Sequence, residues 1–168
     1  MDTLALFGIN VAFSFAAWGV VTARDLWPKL RILPQRDALR SLLTLHAFRF
    51  VGLAFLVPGV VGPDLPAAFA RPAAYGDLGA AILGLLALAV LATSWGLAVV
   101  WLFNLWGAVD LLYGFSGFSH GLFGVGLSPG ALGAGFFLIT VIVPLLLITH
   151  GLTFRLLLER PLSPTWRG

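Results

Sequence analysis

The sequence predicts an all-α integral membrane protein with five transmembrane helices. Hydrophobic residues make up 60% of the 168-residue chain, charged residues make up only 10%, and the hydrophobic residues are gathered into long runs. Soluble domains are about half apolar and about a quarter charged, and a small one leaves too much surface exposed to hide so many apolar groups. The composition therefore excludes soluble enzymes, disordered chains and nucleic-acid-binding proteins.

The predicted helices follow from the length of the apolar runs, since a spanning helix needs roughly 20 mostly apolar residues. In a single transmembrane domain covering residues 1–168, they lie at about 4–23, 41–61, 75–93, 97–115 and 132–158. The third and fourth share one run, from Leu78 to Phe115, that as one helix would be roughly 57 Å long and must therefore fold back. The break is predicted at residues 93–96. Pro58 and Pro144 fall inside predicted helices and should bend them.

Lysine and arginine predict the orientation, because they concentrate in cytoplasmic loops. Eight of them lie in the loop between helices one and two or near the C-terminus, against Arg71 alone on the other side: Arg24, Lys29, Arg31, Arg36, Arg40, Arg155, Arg160 and Arg167. We therefore expect the N-terminus outside and the C-terminus in the cytoplasm, in a bacterial-type inner membrane.

Five polar residues inside the predicted helices are the candidate functional residues. An ionisable group near the bilayer centre costs about 3 kcal/mol or more, so each one suggests a function. Counted at ~1.5 Å per residue from the cytoplasmic ends, four fall in one layer roughly 8–12 Å deep, one lies at roughly 20 Å, and Asp77 is expected near the outer surface. The five candidate ligand-binding or proton-binding residues are His46, Arg49, Asn104, Asp110 and His150.

A structural interpretation of this layer needs no ligand. Arg49 and Asp110 would form a buried ion pair, and the histidines would hydrogen-bond across helices. Such pairs fix how helices pack without adding much stability. The protein would then be a structural or partner subunit.

A binding site is the interpretation that we carry forward as the predicted function. Rows of protonatable histidine and aspartate are typical of proton relays in membranes, and histidine exchanges its proton near neutral pH. His46 and His150 would carry protons, while Arg49 would hold an anion or tune its neighbours. The sequence thus predicts a non-enzymatic protein that binds or translocates a proton, an ion or a small molecule in the cytoplasmic half of the bilayer.

A haem is the third interpretation, in which His46 and His150 are two axial ligands at matched depth on different helices. Paired histidines holding haem b would make the protein a membrane electron carrier. No other cofactor is indicated. The chain has no cysteine, which excludes disulfides and thiolate metal sites, and no His-x-x-x-His pattern or acidic cluster predicts a metal site.

Two short patterns are similar to catalytic motifs. Residues 117–121 match G-x-S-x-G, but that motif requires a strand-to-helix turn over a parallel sheet. Residues 114–117 resemble the G-x-S-G of rhomboid proteases, which implies Ser116 as nucleophile and His150 as base. Because the predicted helices place these two roughly 20 Å apart in depth, and a base must reach its nucleophile, we predict no catalytic residues.

The expected partner is the lipid bilayer, with no nucleic acid. A second copy of the chain or another membrane protein is a further candidate, because helix three is rich in small residues. Ala80 and Gly84 form a small-xxx-small pair of the kind that lets helices approach closely in membranes.

Overall fold

The computed structural model describes residues 2–119 and 127–159, with only the backbone at 116–119. Five helices form most of this part: α1 (Thr3–Leu30), α2 (Gln35–Leu56), α3 (Ala67–Val90), α4 (Gly96–Ser119) and α5 (Gly135–Glu159). A short 3₁₀ turn, Pro129–Leu132, precedes α5, and no strand occurs in these ranges. All five helices are long and apolar enough to cross a membrane. The predicted all-helical class and the number of candidate spans are confirmed.

Two apolar clusters hold the two ends of the bundle. The Leu39 cluster joins the ends of α1, α3 and α5 to the starts of α2 and α4, through Leu30, Leu39, Leu43, Leu91, Phe103 and Leu156. The Phe69 cluster lies at the opposite ends of α1, α2, α3 and α5, through Phe7, Phe55, Phe69, Leu132 and Ile139. Consecutive helices therefore run in opposite directions. α3 packs between α2 and α4, and α5 contacts α1, α2 and α4.

Large hydrophobic side chains cover the outside of the bundle. Ile32, Phe13 and Val109 are 78%, 73% and 64% exposed, while His46, Arg49 and Asn104 are buried. This distribution is the reverse of the usual one, in which charged groups face outward. It suits a chain whose surroundings are apolar.

α1 extends past its predicted end at Ala23 as far as Leu30, so the predicted basic loop at 24–40 is much shorter. The helix continues through Pro28 because a wide π turn, Thr22–Leu26, comes just before it. α5 shows the same arrangement, with a π turn at Leu138–Ile142 just before Pro144. Proline has no N–H to donate to the carbonyl four residues earlier. A π turn, with hydrogen bonds between residues five apart, shifts the hydrogen-bond register of the helix next to this missing bond.

α2 ends earlier than predicted, and Pro58 is not inside it. The helix stops at Leu56, Val57 is extended, and the carbonyl of Ala54 accepts the N–H of Val57 at 3.1 Å. The predicted bend at Pro58 is therefore wrong, since a proline after the last turn terminates the helix instead of bending it.

The second half of α2, Ala47–Leu56, is a 3₁₀ helix. It has three residues per turn, so positions three apart stand directly above one another. His46, Arg49, Gly52 and Phe55 form such a row, and all four are buried. The 3₁₀ geometry thus places His46, Arg49 and Gly52 on one face of α2, toward the same neighbouring helices.

α3 begins at Ala67, well before the predicted start at residue 75, with Pro72 inside it. Asp77 consequently lies about 15 Å into the helix at ~1.5 Å per residue. The predicted start of helix three at residue 75 is therefore wrong: the helix continues through Pro72, and Asp77 lies well inside it instead of at its end. Pro72 lies beyond the first turn of α3 and has no N–H to donate to the Ala68 carbonyl, so one backbone hydrogen bond of the helix is missing there.

The small-residue face of α3 is used inside the chain. Ala80, Gly84 and Ala87 are buried in the helix that packs between α2 and α4. The predicted turn between helices three and four is observed at residues 91–95. Only the backbone of residues 116–119 is described, so the side chain of Ser116 and residues 120 and 121 of the G-x-S-x-G pattern lie outside the described part of the chain.

Candidate functional site

Arg49 is the centre of a buried polar cluster between the two apolar ends. Its side chain is fully buried, and its Nε and Nη2 atoms each lie 2.7 Å from Asp77 Oδ1. Nη2 also donates to Asp110 Oδ2 at 2.6 Å. Nη1 donates to the Gly107 carbonyl and faces His150 Nε2, both at 3.2 Å. A guanidinium has five N–H donors: four make these hydrogen bonds, and the fifth, on Nη2, is engaged by Asp77 Oδ1 in the ion pair.

Three glycines make room for the charged side chains of this cluster. The close pairs are Gly52 with Asp77, Gly76 with Asp110, and Gly107 with Arg49 and His150. A Cβ atom at the three glycines would come within 2.6 Å of Asp77 Cβ, 2.5 Å of Asp110 Cγ and 2.5 Å of Arg49 Nη1 respectively. Each charged side chain therefore fills a space that only glycine leaves open.

Asn104 and Arg49 fix the tautomer of His150. Arginine can only donate, so His150 Nε2 accepts from Nη1 at 3.2 Å. His150 Nδ1 must then carry the proton, and it donates to Asn104 Oδ1 at 2.7 Å. The Asn104 amide donates in turn to the His150 carbonyl at 3.3 Å. This network is complete with a neutral imidazole.

His46 continues the cluster toward the Leu39 cluster. Its ring centroid lies 4.2 Å from that of His150 and 5.1 Å from that of Phe103. His46 Nε2 contacts Thr149 Oγ1 at 3.0 Å, while His46 Nδ1 has no partner within the described part of the chain. Thr149 Oγ1 can donate to the carbonyls of Leu145 and Leu146, each at 3.0 Å.

The cluster holds more carboxyl groups than guanidinium groups. Two carboxyl groups, on Asp77 and Asp110, face the single guanidinium of Arg49. The histidine network is complete when neutral, so two ionised carboxylates would leave one excess negative charge. The side chains of Asp77 and Asp110 are 15% and 14% exposed, so both carboxyl groups retain some access.

Two cavities border the carboxyl groups, and Asp77 lines both. The larger, about 340 Å³, lies between the 3₁₀ part of α2 and α5. The smaller, about 30 Å³, also touches Asp110 and is bounded by Phe69, Phe115 and Ile139. The smaller volume is enough to hold a water molecule, which needs at least about 10–15 Å³ of such space. Asp77 therefore stands between a water-sized space and a ligand-sized one.

The structure brings all five predicted site residues into this cluster. It adds Asp77 and Thr149, which sequence reasoning did not include. Asp77 was missed because the predicted start of helix three was too late; a start just after Pro66 would have put it about 15 Å inside the helix, near the depth of Asp110. No group of three or more metal-ligating side chains occurs in the described ranges.

The geometry does not fit the haem interpretation. Axial histidines must stand on opposite faces of the porphyrin, with the iron between them. The rings of His46 and His150 are instead in direct contact, with centroids 4.2 Å apart, and both nitrogens of His150 are engaged. The two histidines leave no space for a haem plane between them.

These observations define a helical protein with five candidate membrane spans around a buried Arg–Asp–His cluster. The family described as "Domain of unknown function (DUF8737)" matches residues 6–158, and the chain belongs to this family. No curated protein and no solved structure matches the chain.

Proposed function

We propose that the protein is a multi-pass transport protein that binds and moves a proton, or another monovalent cation, at the carboxyl groups of Asp77 and Asp110. The observation that carries this proposal is the ratio of two carboxyl groups to one buried guanidinium. An isolated charge in an apolar interior is costly. One proton or one monovalent cation at the pair makes the cluster neutral, so this is the favoured resting state.

The proposed role of each residue follows from its remaining hydrogen-bonding capacity. Arg49 has no free donor, so it orients the two carboxyl groups and does not bind an anion. His150 is complete as a neutral imidazole and holds the guanidinium in place. The carboxyl groups, which adjoin the water-sized cavity, are thus better placed than His150 to exchange a proton. His46 Nδ1 is the remaining unpaired ring nitrogen in the described cluster.

The proposed location is an inner membrane, with the Leu39 cluster on the cytoplasmic side and lipid as the surrounding partner. Basic residues concentrate at that end, as cytoplasmic ends require. Some of them also have structural contacts there: Arg36 donates to the Ala92 carbonyl at the end of α3 at 2.7 Å. Arg155 lies over the Trp27 ring, 4.1 Å from its centroid.

Proton flux into liposomes tests the proposal. The full chain is reconstituted in phosphatidylethanolamine–phosphatidylglycerol vesicles that contain a pH-sensitive dye, with the voltage clamped by potassium and valinomycin. We expect an imposed pH gradient to decay faster than in protein-free vesicles, and Asp77→Asn and Asp110→Asn to return the rate to the protein-free value. The same vesicles with labelled sodium test the other monovalent cation.

The matched control is Asp37→Asn on α2, because Asp37 pairs with Arg40 in an exposed ion pair, and exposed pairs contribute little. Its flux should equal that of the unmodified chain. The cluster variants should also keep their fold, since removing one carboxyl leaves one carboxylate for one guanidinium. If proton flux through the unmodified chain is no faster than in protein-free vesicles, and both cluster variants unfold, the cluster serves only to hold the helices together.

A further inference from the structure

The larger cavity has a chemistry that selects its ligand. It is lined by the 3₁₀ part of α2 and by residues 138–146 of α5, and Arg49 and Asp77 are its two polar lining residues. Its volume of about 340 Å³ falls at the lower end of the range of small-molecule sites, about 300–1,000 Å³. An occupant must therefore be mostly apolar and must meet the polar groups of one corner.

The polar corner accepts hydrogen bonds but has none to donate. All five donors of Arg49 are used by Asp77, Asp110, Gly107 and His150. Asp77 Oδ1 accepts the hydrogen bond from Arg49 Nε. The Asp77 side chain is 15% exposed and can accept further hydrogen bonds, since a carboxylate has about four lone-pair sites. An anionic ligand would meet a carboxylate and no free donor. A ligand with N–H donors and a positive charge would donate hydrogen bonds to the free acceptor sites of Asp77 and would neutralise the excess negative charge.

Access to the cavity is from the apolar outer surface of the bundle. Phe48, Phe50 and Val51 line it and are 63%, 51% and 44% exposed. A ligand dissolved in the apolar surroundings could enter past these side chains without crossing a polar layer. The body of the ligand should therefore be lipophilic.

The geometry points to a small lipophilic amine, in its protonated form, as the ligand of this cavity, bound through its ammonium group to Asp77. This inference rests on the proposed function and names its substrate class. Because Asp77 also lines the water-sized cavity that it shares with Asp110, a proton and the ammonium ion compete for the same carboxyl group. Entry of one cation is balanced by loss of the other, which is the condition for exchange.

Acid should weaken amine binding. Asp77 is faced by Arg49 of α2 and Asp110 of α4, with His150 of α5 on the far side of the guanidinium. Arginine keeps its charge in proteins, and the two contacts of His150 are complete with a neutral imidazole. The carboxyl pair is then the group whose protonation opposes the amine, and competition by one proton limits the change to at most tenfold in affinity per pH unit.

Calorimetric titration of the detergent-solubilised full chain tests the inference with three probes of nearly equal size. These are 2-phenylethylamine, the neutral alcohol 2-phenylethanol, and the anion phenylacetate. We expect the amine to bind at least tenfold more tightly than the other two, and more weakly as the pH is lowered. Asp77→Asn should lower amine affinity at least tenfold.

A cavity-filling variant provides a test that leaves every charge in place. Val51→Trp adds an indole at the exposed edge of the cavity and should lower amine affinity at least tenfold. Val20→Trp makes the same change at a 55% exposed site on α1 that does not line the cavity, and it should bind the amine as the unmodified chain does. Equal affinity in the two variants would overturn the assigned cavity.

The outcomes separate this inference from the proposed function. Proton flux that depends on Asp77 and Asp110, with no preference for the amine over the alcohol, would overturn the amine site and leave the proposed function standing. Amine binding that is lost in Asp77→Asn but unchanged by pH would support the cavity and contradict competition with a proton. Equal binding of amine and alcohol would mark the cavity as a purely apolar space.

Discussion

The two sides of Arg49 differ in exposure, charge and completeness. On the carboxylate side, Asp77 and Asp110 are 15% and 14% exposed, adjoin two cavities and, when both are ionised, carry more negative charge than Arg49 balances. On the histidine side, His46, Asn104 and His150 are at most 1% exposed, and their network is complete when neutral except at His46 Nδ1. One guanidinium connects a closed, neutral region to an open, charged one.

This difference assigns separate tasks to the two sides. The histidine side has no room and no charge to exchange, so its contribution is to hold the guanidinium in one orientation. The carboxylate side is partly exposed and has two carboxyl groups for one guanidinium, so under the proposed function a counter-ion would bind and leave there without unpacking the helices. A site that must both stay folded and exchange an ion benefits from this division, because complete polar networks are rigid and incomplete ones are not.

Replacement of Arg49 should break both sides at once and have the largest effect. Arg49→Gln leaves two part-buried carboxyl groups without a cation and removes the donor to His150 Nε2. Loss of one partner from a buried ion pair costs about 3–5 kcal/mol. We expect a decrease of that size in the free energy of unfolding, measured by denaturant titration in mixed micelles.

Arg40→Gln is the matched control on the same helix. The Arg40–Asp37 pair is 3.3 Å long with both side chains about half exposed, at 59% and 48%, and exposed pairs contribute about 0–1 kcal/mol. A loss below about 1 kcal/mol in Arg49→Gln, close to the control, would contradict the view that Arg49 is the sole compensating charge for the two carboxyl groups.

The cluster could be found from the sequence because two properties can be read there: the free-energy cost of a polar residue in an apolar helix, and the depth of that residue along the helix. Polar residues in apolar runs stand out, and counting residues along helices placed His46, Arg49, Asn104 and His150 in one layer. The count failed for Asp77 because its place in the helix depends on where α3 starts. Pro72, which lies inside α3, made the sequence before residue 75 look like a loop. One misplaced boundary removed half of the carboxylate side from the predicted site.

Other features depend on rotation about the helix axis and on backbone form, which depth does not reveal. Matched depth made His46 and His150 candidate haem ligands, yet their rings face each other directly. The 3₁₀ form of residues 47–56 was also not predicted. Its trace in the sequence is the three-residue spacing of His46, Arg49, Gly52 and Phe55, which an α-helix would spread around its axis.

Alanine at Gly107 should disturb the contact between the two sides with an intermediate effect. The new Cβ would lie 2.5 Å from Arg49 Nη1 and 2.6 Å from His150 Cε1, and overpacking of a buried site costs about 1–3 kcal/mol. Gly114→Ala, on the same helix, meets nothing within 4 Å. It should stabilise the helix by up to about 1 kcal/mol, because alanine is the better helix former.

The two glycine variants should therefore shift the thermal unfolding midpoint in opposite directions. Both gain the same helix propensity, so the difference between them isolates the fit of Arg49 and His150 against α4. If Gly107→Ala raised the midpoint as Gly114→Ala does, the close approach of these helices at the cluster would not be a feature of the folded protein.

Removal of the Thr149 hydroxyl should affect the histidine side alone and have the smallest effect. Thr149→Val keeps the side-chain shape but takes away the contact with His46 Nε2 at 3.0 Å. Hydrogen bonds between membrane helices average about 0.6 kcal/mol, and leaving a buried polar atom unpaired adds to this cost. We expect a loss of about 1 kcal/mol in the free energy of unfolding.

Thr153→Val on the same helix separates that cost from the general effect of losing a buried hydroxyl. Thr153 is equally buried, but its hydroxyl donates only to the Thr149 carbonyl of its own helix at 2.9 Å, and such bonds add little to helix stability. If the histidine side only positions Arg49, Thr149→Val should also leave proton flux near its normal rate while Asp110→Asn abolishes it. A flux lost in Thr149→Val, with the fold intact, would mean that His46 takes part in moving the proton and that the division between the two sides is wrong.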